Sequence, residues 1–173
     1  MAKADGQARS KRRSVVRIRA ALRSILALDL ATRCGWAHSC GASGVWDLRP
    51  KTDESAGMRL IRLRAKLEEV RKSVGVGLVV FEAFKFIRNH ASGSVVQPEM
   101  QGVLKLWCEE NEIMYRSYTP GQIKKFATGK GNANKQAMLE AAREKWGDMV
   151  VDDNHADALW LLELAKSDLV GGE

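Results

Sequence analysis

No apolar run in this 173-residue sequence approaches the ~20 residues that a membrane-spanning helix needs, so no bilayer-crossing segment is expected. Cysteine is scarce: Cys34, Cys40 and Cys108 are widely spaced and none stands in a C-x-x-C pair, which argues against a disulfide framework or a structural zinc site. All three are expected as small, reduced core residues. Only three histidines occur, so a dense imidazole and thiolate ligand set is missing as well. Internal repeats and low-complexity segments are also lacking, and with 45% hydrophobic and 28% charged residues the composition is that of one globular domain.

What is present is unevenly placed. Residues 1–23 carry eight lysines and arginines against Asp5 alone, a net +7 that equals the charge of the whole chain. The remainder is therefore neutral, and the basic character belongs to an N-terminal arm. Such an arm suits sequence-independent attraction to phosphates; a solubilising tail and an Arg-rich organelle transit peptide are the other readings of it. Residues 24–168 are expected to form the folded domain, in a cytoplasmic or nucleoid-associated protein.

Ser24–Leu30 is a short apolar run broken by an acid, as in a buried central strand. Trp36–Cys40 and Gly44–Leu48 read as two further strands joined through Gly41-Ala42-Ser43. Leu60, Leu63, Leu67, Val70 and Val74 recur at helical spacing with charges on the other faces. Leu78–Phe81 is a second buried strand, again followed by an acid, Glu82. A helix carrying Val96, Met100, Val103, Leu104 and Trp107 follows, then a strand over Glu112–Tyr118 and a short helix over Gly121–Phe126. Thr128–Asn134 is a Gly- and Asn-rich basic loop whose Asn134 is placed to cap a helix starting at Lys135. Asp152-Asp153 opens the last helix, which bears Ala156, Leu159, Trp160 and Leu164. This order predicts an α/β domain with a mixed five-stranded sheet, three antiparallel strands and then two parallel strands added through helical crossovers.

The acids carry the chemistry. Asp29 and Glu82 each follow an all-apolar strand, where a carboxylate is desolvated unless something compensates it. Asp153 and Asp157, four apart on the last helix, share a face, and Asn154 stands three before Asp157. Carboxylates gathered in one place repel, and a divalent cation is the usual remedy. Oxygen ligands favour Mg²⁺, with Mn²⁺ as a substitute, over Zn²⁺. Each acid alone also has an ordinary structural reading, as a turn cap, a surface ion pair or a first-turn helix acid.

Five segments share a resemblance that covers nearly everything from residue 24 onward. They are Asp29-Leu-Ala-Thr-Arg-Cys-Gly-Trp-Ala37, Val80-Phe-Glu82, Tyr118-Thr-Pro-Gly-Gln-Ile-Lys-Lys125, Thr128-Gly-Lys-Gly-Asn-Ala-Asn-Lys135 and Asp153-Asn-His-Ala-Asp-Ala-Leu159. Together they resemble RuvC-type Holliday-junction resolvases, phage and prophage members above all, which have the RNase H-like fold. The Pro-x-x-Ile-Lys and Gly-Lys-Gly-x-Ala-x-Lys stretches are the most specific.

The resemblance implies a Mg²⁺-dependent endonuclease, acting on branched DNA such as four-way junctions by a two-metal-ion mechanism without a small-molecule cofactor. It implies metal ligands at Asp29, Glu82 and Asp157. The fourth falls three residues before the last acid, where the family has Asp or His and this chain has Asn154. Asp153 is expected to supply that carboxylate, with Asn154 as the alternative. Lys124, Lys125, Lys130 and Lys135 are expected on DNA phosphates, and Lys85 and Arg88 toward the junction centre. Phe84 or Phe86 could wedge against a base pair or simply pack. The resemblance also implies a homodimer, for which the helix with Val103, Leu104 and Trp107 is a candidate interface unless that stripe belongs to the core. Nuclease action on flaps or RNA–DNA hybrids, and a non-catalytic junction-binding module, are the competing readings.

Overall fold

The computed structural model describes residues 24–84 and 95–170. The expectations for the basic arm, Lys85, Arg88 and Phe86 lie outside the described residues.

Five strands form one sheet in the order β3-β2-β1-β4-β5. They are β1 (Ile25–Asp29), β2 (Arg33–His38), β3 (Ser43–Asp47), β4 (Leu78–Glu82) and β5 (Met114–Tyr118). The first three are antiparallel neighbours, and β1, β4 and β5 run parallel, as the predicted mixed sheet requires. The second strand begins at Arg33 rather than Trp36, because its pairing with β3 extends from Arg33–Asp47 to Ala37–Ser43. Gly41, at φ 97°, supplies the left-handed residue of the connecting turn.

Helices α1 (Met58–Val74), α2 (Val96–Glu110), α3 (Pro120–Thr128), α4 (Lys135–Trp146) and α5 (Asp153–Val170) complete the fold. The short helix α3 is longer than expected at both ends. Thr119 and Gln122 cap it reciprocally, Pro120 fits the first turn, and Gly129 ends it in the left-handed conformation.

Strand alternation divides the core into two layers. Leu26, Leu28, Val79 and Phe81 face one side, with Leu63 and Leu67 of α1 and Met100, Leu104 and Trp107 of α2. Ile25, Ala27, Leu78 and Val80 face the other, with Ile123, Met138, Ala142 and the alanine-rich α5. Leu104 and Trp107 are 0% and 1% exposed, so these two side chains of the stripe are packed into the core of this chain. Cys34 and Cys108 are buried as expected, whereas Cys40 lies exposed next to the turn between β2 and β3. No helix among the described residues is long and apolar enough to cross a membrane.

Helix α1 offers a direct check of this layering, since Leu67 is fully buried and Ile61 is 61% exposed on the same helix. Leu67→Ala is expected to lower unfolding free energy by about 2–5 kcal/mol in urea titrations. Ile61→Ala should change it by no more than about 0.5 kcal/mol.

Candidate active site

The parity that makes the two core layers also aims the acids. Asp29 continues the face of Ile25 and Ala27, and Glu82 continues that of Leu78 and Val80, so both side chains point to the layer covered by α5. In the parallel register Leu28 pairs with Phe81, which makes Asp29 and Glu82 the next neighbours at the carboxyl ends of two central strands. The end of β4 is held by two bonds: the Gln101 side chain of α2 donates to the Glu82 carbonyl at 2.9 Å, and the Ala83 amide donates to the Tyr118 carbonyl at 2.8 Å.

Helix α5 brings the third acid. Its first turn is built around Asp152, whose carboxylate accepts from the His155 amide at 2.9 Å and from Arg33 of β2 at 2.8 Å. Asp152 is therefore a helix cap tied to the sheet. Asp157, one turn further on, stands with Asp29, Glu82, Asn154 and Lys135 in the wall of an open cleft of about 480 Å³. A smaller adjoining cavity of about 190 Å³ is lined by Glu82, Asp157, Asp153, Lys124 and Lys135. Asp153 and Asn154 thus flank Asp157 from two sides.

The electrostatics follow from this crowding. Burial, followed by the charges of Asp157 and Glu82, pushes the Asp29 carboxyl up from an ordinary 3.8 to about 8. Burial and then Asp153 push Asp157 up to about 6. Lys135 works against both shifts, and its ammonium donates to Asp153 at 2.8 Å, which holds that carboxyl below its usual range. Among the described residues, Lys135 and Lys124 line the cavity with the acids; Lys125 and Lys130 lie exposed on α3 and the following loop and line neither cavity.

Among the described residues, no three carboxylate, imidazole or thiol groups form a ready-made metal cage. The donor set nevertheless fits a hard cation. It is all oxygen, it converges on one cleft, and its carboxyls are held in a state that added positive charge would relieve. Asp152 takes the helix-terminus role that was one reading of it from sequence, while Gln101 and Arg33, which carry no reacting atom, were missed. Gln101, set within the apolar stripe of α2, was the one visible signal; the partner of Arg33 is 119 positions away.

Comparisons with known proteins place these features in a family. The family model described as crossover junction endodeoxyribonuclease RuvC matches residues 35–159. The crossover junction endodeoxyribonuclease RuvC of Brachyspira hyodysenteriae is 30% identical over 133 residues, 73% of this chain and 82% of that protein. Among solved structures, Thermus thermophilus RuvC in complex with Holliday junction substrate superposes with a TM-score of 0.70 at 20% identity, over 86% of this chain and 96% of that one. The yeast mitochondrial Holliday junction resolvase superposes at 0.58 with 10% identity, over 86% and 80%. These two likenesses show the shared RNase H-like fold.

The raised Asp29 value sets a pH dependence. Its folded-state stability is full below pH 4, where Asp29 is protonated folded or unfolded, and is lost as pH rises toward 8. Asp29→Asn removes this loss. In EDTA its stability advantage over wild type should widen from pH 5 to pH 8, to about 2–5 kcal/mol, and shrink when Mn²⁺ is added. Thermal denaturation of both proteins across that range checks it; equal curves would show that Asp29 is not under strain.

Proposed function

Because the chain belongs to the RuvC family of crossover junction endodeoxyribonucleases, we propose that it resolves four-way Holliday junctions by Mg²⁺-dependent hydrolysis at Asp29, Glu82 and Asp157. The observation that supports this most is the convergence of these three acids from two neighbouring parallel strands and the last helix on one open cleft. In this reading Asp29, Glu82 and Asp157 would hold the cations, and Asp153, now paired with Lys135, would give the fourth oxygen. Asn154, on the Asp29 side of the cleft, is the alternative fourth donor. Divalent cations held there would supply Lewis-acid activation of a water and stabilisation of the leaving oxygen in phosphodiester hydrolysis.

The chain's own residues do the rest. Lys124 and Lys135 flank the cavity and fix the scissile phosphate over the acids. Lys135 stands at the first position of α4, where the helix N-terminus adds its partial positive charge. Lys125 and Lys130 extend the basic strip along the neighbouring backbone, and Lys85, Arg88 and the basic arm contribute further positive charge toward DNA. A four-way junction needs cuts in two opposed strands, which two copies related by a two-fold axis supply. A homodimer is therefore part of the reading.

Cleavage of a synthetic four-way junction in Mg²⁺ or Mn²⁺ tests it. Asp29→Asn, Glu82→Gln and Asp157→Asn should each lower the rate by at least about 10³-fold while junction binding in EDTA persists. Undiminished cutting by these variants would refute the site, and preference for flaps or RNA–DNA hybrids over junctions would refute the substrate. Calorimetric titration with Mn²⁺ separates the fourth donor: Asp153→Asn should weaken affinity more than Asn154→Ala. Lys124→Ala and Lys135→Ala should raise KM or lower kcat, and Lys125→Ala should weaken junction binding and flatten its salt dependence.

A further inference from the structure

Gly35 lies in the middle of β2, directly opposite Asp29 in the antiparallel register and on the same face of the sheet. It is buried, and the first turn of α5 rests on it. A methyl carbon placed on Gly35 would lie 1.8 Å from the carbonyl oxygen of Asn154, 2.3 Å from its carbonyl carbon and 3.0 Å from the His155 amide nitrogen. All three atoms are backbone, so no side chain can swing aside to make room. The bare Cα of Gly35 therefore sets how closely the first turn of α5 approaches the strand that faces Asp29.

The rest of this junction is fastened around that contact. Arg33, two residues earlier on β2, reaches the Asp152 cap at 2.8 Å. The Asp152 carboxylate accepts from His155 N–H, and the His155 ring Nδ1 accepts from the Val151 amide at 3.2 Å, closing the turn on itself. The turn is thus a stiff unit, tethered outside by Arg33 and seated inside on Gly35. Asp157 is carried on the next turn of the same rigid helix, so displacement of the seat displaces Asp157 relative to Asp29 and Glu82.

We propose that Gly35 is a positioning residue for the hydrolytic site: its missing side chain seats the first turn of α5 and thereby sets the spacing of Asp157 and Asn154 from Asp29. The proposal rests on the metal-site reading above. It concerns the geometry of the acids, and Gly35 itself touches neither substrate nor cation. The seat acts on cation affinity and turnover and leaves the lysine strip on α3 and its loop in place.

The test compares wild type with Gly35→Ala, with Leu67→Ala as a variant that weakens the opposite core layer. Mn²⁺ binding is read by electron paramagnetic resonance without DNA, junction binding in EDTA, and kcat and KM separately. Gly35→Ala is expected to weaken Mn²⁺ binding by about 10–100-fold and to lower kcat by about 100-fold. Its EDTA junction affinity and KM should match wild type, and excess Mn²⁺ should restore part of kcat. Leu67→Ala should keep wild-type Mn²⁺ affinity. Wild-type Mn²⁺ affinity in Gly35→Ala, or an equal loss in Leu67→Ala, overturns the proposal. If Gly35→Ala does not fold, Arg33→Ala, which removes only the outer tether, decides: weakened Mn²⁺ binding supports the seat, and unchanged binding overturns it. A wild-type protein that binds no Mn²⁺ would fail the metal reading itself, an outcome distinct from a wild type and a Gly35→Ala that bind alike.

Discussion

Carboxylates of like charge, drawn together in a partly dry cleft, are the condition around which this fold is arranged. Burial and the nearness of Asp157 and Glu82 disfavour the Asp29 anion, so that its proton is held up to about pH 8. The acids are held on one side of the sheet by the central strands and by the packing of α5 against them. The central strands are filled on both faces by close-packed apolar side chains, and the end of β4 is pinned by Gln101 and by the Tyr118 carbonyl. Small residues bring the third acid close: Ala27 and Ala37 on the sheet face Ala156 and Ala158 on α5. Carboxyls brought this close in a buried setting have to be held by the packing around them.

Lys135 qualifies that statement in a useful way. Its ammonium pairs with Asp153 and moderates the repulsion felt by Asp29 and Asp157. It is largely exposed, so the pair contributes little to stability; its value lies in placing a mobile positive charge at the cleft mouth. The Asp152–Arg33 pair, by contrast, joins a helix cap to the sheet. Two adjacent acids at the start of one helix thus have different duties, decided by which strand or helix each one meets.

Much of this was legible beforehand. Strand runs ending in Asp29 and Glu82 could be read as acids at one sheet edge because alternation and apolar content are local properties of a strand. Spacing put Asp153 and Asp157 on one helix face for the same reason. The helical stripe of Met100, Leu104 and Trp107 was legible as a stripe, but whether it met this chain or a second copy was not; only the tertiary packing shows it inside the core. Cys40 was expected inside by composition and stands outside, since it falls beside a turn.

Composition, periodicity and motif therefore determined the fold class, the five strands, the three principal acids and the basic loop after α3, because each depends on side chains within a few residues of one another. The tertiary structure decided the rest: that Asp152 caps while Asp153 faces the cavity, that Lys124 and Lys135 line the cavity with the acids while Lys125 and Lys130 do not, and that Gly35 is the floor under α5. Those outcomes depend on contacts between separate elements of the fold, the longest of them, Gly35 with Asn154 and Arg33 with Asp152, spanning more than a hundred residues. A glycine read alone carries no mark of what presses against it, and the three acids named from sequence become a site only where α5 comes down on that bare strand.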